Sequence, residues 1–334
     1  MAEPRFDWES GIDALAPHLT GTKRVGLQVP EGLRPRALEI VARLAQLCDA
    51  EVLLWGEPTF GACDLADRPL SEVGVDALVH LGHLPMPYHT DCHAVPVHFV
   101  PVQHTGALEL PRKSIKQLRE MLPKSVGVVT TAQHLQLLDE LQTCLAEEGF
   151  ASAVGEGGPR LAAPGQLLGC SSAAARALNV DGYVYLGTGV FHPLTVALST
   201  GKPVACLDPH SGVVTEAKAD RFLRQRYAAI SAANGAQRWA VMFSTQIGQE
   251  RLTLAERLAE ELRTSNREAF LIGGIHQSET QLAGLGVDAA VITACPRVAI
   301  EDGPTWSIPL LTVPELQILL GKRESEPYPF DEFP

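Results

Sequence analysis

Val75-Asp76-Ala77-Leu78-Val79-His80-Leu81-Gly82-His83 returns 105 residues later as Val180-Asp181-Gly182-Tyr183-Val184-Tyr185-Leu186-Gly187-Thr188. After another 107 residues it returns as Val287-Asp288-Ala289-Ala290-Val291-Ile292-Thr293-Ala294-Cys295. Each copy is a Val-Asp turn, an apolar strand and then a loop. A repeat of this length points to three domains of similar size and plan. The expected boundaries are 1–104, 105–209 and 210–334. In parallel α/β sheets ligands gather beyond the carboxyl ends of the strands, so the three loops are where chemistry is to be sought. A threefold arrangement can turn all three toward one centre. The competing reading is three unrelated strands that share a common Val-Asp turn.

Outward from the repeats, short apolar runs alternate with amphipathic stretches of helical length, the pattern of an α/β protein. Val25–Val29, Val52–Trp55, Val126–Thr130, Val204–Leu207, Trp239–Phe243 and Ala269–Ile272 read as further strands. Pro35–Cys48 and Glu250–Arg263 read as helices. Their apolar faces are Ala37, Val41, Leu44, Ala45 and Cys48 in the first, and Ala255, Leu258, Ala259 and Leu262 in the second.

The 334 residues are 46% hydrophobic and 20% charged, a globular composition that excludes intrinsic disorder. The net charge of −12 argues against sequence-independent nucleic-acid binding, which needs a cationic face. No apolar run is long enough to span a bilayer, and the first residues carry no signal-peptide core. A cytoplasmic protein is expected, with neither nucleic acid nor membrane as partner.

Seven cysteines, at 48, 63, 92, 144, 170, 206 and 295, are an odd and scattered set with no Cys-x-x-Cys pair. A disulfide framework and the closely spaced motifs of zinc ribbons and ferredoxins are disfavoured. Superposing the repeats sorts them. Cys63 stands thirteen residues before Asp76, Cys170 eleven before Asp181, and Cys295 seven after Asp288. Each domain thus contributes one cysteine to a loop at the carboxyl ends of its strands. Three such thiolates make a site for a [4Fe-4S] cluster with one iron left open to a substrate or cofactor. Against this stands the ordinary role of cysteine as a small buried hydrophobe, which suits Cys48, Cys144 and Cys206. A second metal reading is zinc at His89, Cys92, His93 and His98, in a segment broken by Pro85, Pro87 and Pro96. It matches no regular zinc spacing, and loop histidines at a site rim are the alternative.

Several ordered motifs carry a resemblance. They are Pro30-Glu31-Gly32, Thr59-Phe60-Gly61-Ala62-Cys63, Val79-His80-Leu81-Gly82-His83, Leu168-Gly169-Cys170-Ser171 and Gly187-Thr188-Gly189-Val190-Phe191-His192-Pro193. Leu207-Asp208-Pro209, Arg226-Tyr227, Gly248-Gln249, Thr293-Ala294-Cys295-Pro296-Arg297 with Val298–Asp302, and Tyr328-Pro329-Phe330-Asp331-Glu332 follow. Along its whole length the chain resembles the archaeal-type diphthamide synthases, 2-(3-amino-3-carboxypropyl)histidine synthases. The resemblance implies three similar α/β domains, each with a small mostly parallel sheet, in a pseudo-threefold arrangement around a central iron–sulfur site. It implies Cys63, Cys170 and Cys295 as the ligands of a [4Fe-4S] cluster, with no catalytic residue beyond the cluster, and S-adenosylmethionine as second cofactor. An electron from the reduced cluster would cleave the bond from sulfur to the methionyl γ-carbon. The 3-amino-3-carboxypropyl radical would add to C2 of a histidine imidazole in translation elongation factor 2, leaving 5′-methylthioadenosine, in the first step of diphthamide biosynthesis. An electron donor and a homodimer are implied as well.

The cofactor contacts expected are Gly187, Gly189, His192, Gln249 and Arg297. The glycines also suit a plain turn, His192 a helix start and Arg297 a surface ion pair. The chain departs from the family pattern at Asp64, where a second cysteine is common, at Leu81 and Leu84, and at Thr245-Gln246-Ile247 before Gln249. Two alternatives stay open: a quinolinate synthase-like [4Fe-4S] enzyme, and a non-catalytic cluster-bearing subunit that supplies electrons.

Overall fold

The computed structural model describes residues 6–87, 93–104 and 111–333. Three sheets order the chain. The first contains β1 (Arg24–Gln28), β2 (Glu51–Leu54), β3 (Ala77–Leu81) and β4 (Val97–Val100), in the order β2-β1-β3-β4. The second contains β5 (Ser125–Thr130), β6 (Ala151–Ala153), β7 (Gly182–Leu186), β8 (Val204–Leu207) and β9 (Val214–Glu216), in the order β9-β8-β7-β5-β6. The third contains β10 (Arg238–Ser244), β11 (Glu268–Gly274), β12 (Ala289–Ile292) and β13 (Leu310–Thr312), in the order β11-β10-β12-β13. Pairing is parallel between β1 and its two neighbours, β5 and its two neighbours, and β10 and its two neighbours. The α/β class and its three small, mostly parallel sheets are as expected.

The repeat has a physical basis. Strands β3, β7 and β12 are its three copies, and every residue in each is buried. A strand covered on both faces is written as an unbroken apolar run. The aspartate before each strand donates its backbone N–H to the first residue of the neighbouring strand: Asp76 to Arg24, Asp181 to Ser125 and Asp288 to Arg238. In the first and third copies the carboxylate also closes the start of that neighbour. Asp76 Oδ2 accepts from the N–H groups of Lys23 and Arg24 at 2.7 and 2.9 Å, and Asp288 Oδ2 from Gln237 and Arg238 at 3.0 and 2.8 Å. These backbone donors lower both carboxyl pKa values, as hydrogen bonds to a charged form do.

The chain divides into two compact units: residues 1–167 with 173–188 and 205–215, and residues 168–172 with 189–204 and 216–334. In the first unit, Ala37–Cys48 packs Ile40 and Leu44 against Val25, Leu27 and Val79. Cys48 lies at the edge of that core, and Cys144 at the edge of the core built from Val126, Val128 and Leu141. In the second unit, Leu252–Thr264 buries Ala255, Leu258, Ala259 and Leu262, the four residues of its predicted face, against Trp239, Val241 and Val291.

The structure adds short strands that the sequence reading above does not contain, at Val97–Val100, Ala151–Ala153, Val214–Glu216 and Leu310–Thr312. It also adds a two-stranded antiparallel pair, Phe6–Asp7 with Gln103–His104. Among the described residues, no helix is long and apolar enough to cross a membrane.

Candidate functional site

In the first unit Cys63 sits in a turn latched from β1. The N–H of Asp64 donates to Gly61 O at 3.0 Å, and Asp64 Oδ2 accepts from Phe60 N–H at 3.1 Å. Buried Gln28, at the end of β1, donates Nε2 to Asp64 O at 3.1 Å and accepts Ala66 N–H on Oε1 at 3.0 Å. Asp64, which departs from the family pattern, therefore closes the turn that carries Cys63. His80 Nδ1 faces Gln28 Oε1 at 3.3 Å, and its Nε2 lies 2.9 Å from His83 Nδ1. Burial holds His83 down to about 4, against the opposing charge of Asp64, so the pair is neutral at pH 7.

His89 and Cys92, two members of the zinc reading, lie outside the described residues. His93 approaches Asp67 at 4.0 Å, and the ring of His98 lies 5.8 Å from that of His18. Among the described residues, no group of three His, Cys, Asp or Glu side chains is arranged to hold a metal ion. A cavity of about 390 Å³ opens beside the Cys63 turn, with His18, Ala62, Met86, His93 and His98 in its wall.

In the second unit the loops of two cysteines converge. Leu168 and Ser171 exchange backbone hydrogen bonds at 3.2 and 3.1 Å, and Gly169-Cys170 forms the tip of this tight turn. Glycine is required there: a Cβ on Gly169 would stand 2.5 Å from Phe191 Cε1 and 3.1 Å from Arg297 Cδ. Gly169→Ala is expected to push the Cys170 turn off helix Phe191–Thr200. It should lower stability by about 1–3 kcal/mol, the usual cost of overpacking, measured by urea denaturation against an exposed control, Gly56→Ala, where an added Cβ meets nothing.

Cys295 follows β12 and leads into Arg297 and a π-helical turn at Val298–Asp302. Burial first, and then the charge of Cys170, push the Cys295 thiol up to about 12, against the Arg297 backbone N–H. A thiol held this high keeps its proton until a thiophilic metal ion displaces it. Thiols on two converging loops are donors of the type an iron–sulfur cluster takes, and no disulfide joins the six described cysteines. Cys170 and Cys295 therefore fit two corners of such a group. Cys206 lies within β8, where burial pushes its thiol up to about 11.

The expected cofactor contacts fall as follows. Arg297 Nε donates to Glu301 Oε2 at 2.8 Å, and its guanidinium lies 5.1 Å from the Phe191 ring, so the ion-pair reading of this arginine is realised. His192, in the first turn of its helix, is held down to about 4 by burial and by the charge of Arg297. Cys170, Cys295, Arg297 and the Phe191-His192 helix start thus belong to one cluster in this unit. Gln249 is buried on the same unit, its N–H donating to Gln246 O at 2.9 Å. Gly189 has φ of +82°, and Gly187 has φ of +149° with the Tyr185 hydroxyl 2.7 Å from where a Cβ would stand. Both need glycine for the turn itself. Sequence reading assigned no role to Gly169 or to Asp331 and Glu332. The signal for the last two was a charged pair set between aromatic residues at 330 and 333.

A model of the family described as "Putative diphthamide synthesis protein" matches residues 29–329. The chain belongs to this family. The match to this diphthamide synthesis family is supported by curated relatives. The chain is 40% identical to the 2-(3-amino-3-carboxypropyl)histidine synthase of Pyrococcus horikoshii over 313 residues, 93% of this chain and 89% of that protein. It is 32% identical to subunit 1 of the 2-(3-amino-3-carboxypropyl)histidine synthase of Gallus gallus over 329 residues, 93% of this chain and 76% of that protein. The crystal structure of Dph2 from Pyrococcus horikoshii with a 4Fe-4S cluster superposes with a TM-score of 0.86 at 38% identity, covering 98% of this chain and 94% of that one.

Proposed function

We propose that this member of the diphthamide synthesis family is a 2-(3-amino-3-carboxypropyl)histidine synthase. It transfers the 3-amino-3-carboxypropyl group of S-adenosylmethionine to C2 of a histidine imidazole in translation elongation factor 2. Overall, a sulfur–carbon bond breaks and a carbon–carbon bond forms. The imidazole C2 proton is lost, and 5′-methylthioadenosine leaves. The observation that carries this reading is the approach of the Cys170 and Cys295 loops, from sequence segments 125 residues apart: a Cβ on Gly169 would stand 3.1 Å from Arg297 Cδ, and the charge of Cys170 is felt at Cys295. The names of the relatives and the 4Fe-4S cluster of the Pyrococcus structure support it.

Cys63, Cys170 and Cys295 are the proposed ligands of a [4Fe-4S] cluster, one from each of the proposed domains 1–104, 105–209 and 210–334. When bound, the cluster supplies a low-potential electron and an open iron that can take a substrate ligand. The protein's share is to position and shelter. The Gln28–Asp64 latch sets the Cys63 turn, and the Phe191 ring under Gly169 sets the Cys170 turn. Neutral His192 and the Arg297 guanidinium offer polar contacts for the carboxylate and ammonium of the methionyl group. Gly187, Gly189 and Gln249 complete the proposed cofactor contacts. The enzyme is proposed to work in the cytoplasm, as a homodimer, with an external electron donor.

The test is anaerobic incubation of the reconstituted chain with elongation factor 2, S-adenosylmethionine and dithionite. The expected result is 5′-methylthioadenosine together with a modified histidine in the elongation factor, both read by mass spectrometry. Quinolinate formed in a parallel anaerobic incubation with the substrates of a quinolinate synthase, and no 5′-methylthioadenosine in the first, would replace this function with the quinolinate synthase-like one. Absence of transfer until a second protein is added would make the chain an accessory subunit.

A further inference from the structure

The last residues of the chain lie across both cysteine loops of the second unit. Phe333 N–H donates to Cys170 O at 2.9 Å. The Glu332 carboxylate accepts from Ser172 N–H at 2.7 Å and from the Ser172 hydroxyl, which sits 2.7 Å from Ser199 Oγ. On the other side, Asp331 is 4% exposed and faces the Arg251 guanidinium at 3.3 and 3.4 Å. The same guanidinium lies 3.9 Å from the Phe333 ring centroid. Its Nε donates to Thr293 O, and its Nη2 to Ala294 O at 3.3 Å. Those two carbonyls belong to the residues just before Cys295.

We propose that Asp331, Glu332 and Phe333 form a clamp, made of positioning residues, that fixes the Cys170 and Cys295 loops against each other. Glu332 and Phe333 hold the Cys170 turn directly. Asp331 holds the Cys295 loop through Arg251. Hydrogen bonds to charged groups in a buried setting are strong and directional, and backbone carbonyls tied on both sides leave the two sulfurs little freedom to separate. Tyr328 and Phe330 anchor the preceding tail in the apolar cluster around Phe191, Phe222 and Ile300, so the clamp is attached to a rigid base. The benefit for a cluster site rests on the function proposed above, whereas the clamp itself is a property of the chain.

The test reads alkylation of each cysteine by iodoacetamide, followed by peptide mass spectrometry, on the metal-free full-length chain. Glu332→Ala is expected to raise the rate at Cys170 about tenfold, and Asp331→Ala the rate at Cys295 by a similar factor, the effect of losing a carboxylate whose hydrogen bonds restrain local opening. Cys63 and Cys144, which the clamp does not touch, should react at wild-type rates. Ser172→Ala, which removes one contact of Glu332, should shift Cys170 in the same direction by less. If Asp331→Ala fails to fold, Asp331→Asn is read by the same criterion. Unchanged rates at Cys170 and Cys295, or a rise shared equally by Cys63 and Cys144, would overturn the clamp. Iron uptake under anaerobic reconstitution is measured separately. A wild-type chain that takes up no iron defeats the proposed function, and the alkylation rates still decide the clamp.

Discussion

Cys295→Ala is expected to lose almost all bound iron and the visible absorbance of the cluster after anaerobic reconstitution, while Cys206→Ala keeps both. Changes to groups that only orient metal ligands weaken binding by about 10–100-fold, and removing a ligand should exceed that range. The contrast between the two cysteines comes from their settings. Cys295 follows the end of a strand, in a loop that the Cys170 turn approaches. Cys206 is inside a strand, in a five-stranded sheet. Iron content by colorimetric assay and the absorbance spectrum check the result. Equal loss in the two variants would defeat the assignment of Cys295, and Cys63→Ala should behave as Cys295→Ala does.

Arg226→Met is expected to destabilise the protein by about 3–5 kcal/mol, the cost of leaving a buried charge without its partner. Arg226 is 2% exposed and Glu315 0%. The guanidinium donates to both carboxylate oxygens, at 2.7 and 2.6 Å, and to the carbonyls of Ala299 and Leu310, at 2.6 and 2.7 Å. Glu315 also accepts from the Tyr328 hydroxyl at 2.6 Å and from Thr312 N–H at 2.7 Å. The single substitution strands the carboxylate. The double variant Arg226→Met, Glu315→Leu removes both charges together and should recover part of the loss, giving a favourable coupling in a double-mutant cycle. Urea denaturation at pH 7 measures all three variants. The Ala299 carbonyl belongs to the π-helical turn after Cys295, so Arg226→Met should also weaken iron retention while Cys295 itself is intact.

The residues that were legible in sequence share one property: their role is local. Val126–Thr130 and Trp239–Phe243 are central strands with burial on both faces, and their unbroken apolar runs place them within a residue or so of the observed bounds. Strand Ala151–Ala153 is short and half-exposed at a sheet edge. An edge strand is held by backbone pairing to a neighbour far along the chain, and composition carries little trace of that. Helix Pro35–Cys48 was expected to begin two residues early. The stretch before it is a 3-10 turn, Glu31–Arg36, that contains Pro35. Proline's fixed φ suits either form, so the apolar period could not separate them.

By itself the sequence determined the α/β class, the threefold repetition and the sorting of cysteines into core and loop. Each of these follows from short-range patterns: apolar runs where a strand is covered on both sides, an aspartate that must meet backbone N–H groups, a glycine beside a cysteine. Only the tertiary structure decided that the Cys170 and Cys295 loops converge, that Phe191 demands Gly169, that Arg226 neutralises Glu315, and that residues 331–333 tie down two distant loops. Those contacts join positions from 22 to 163 residues apart. They arise when packed layers bring strand ends together, and no periodicity in the chain encodes which ends will meet.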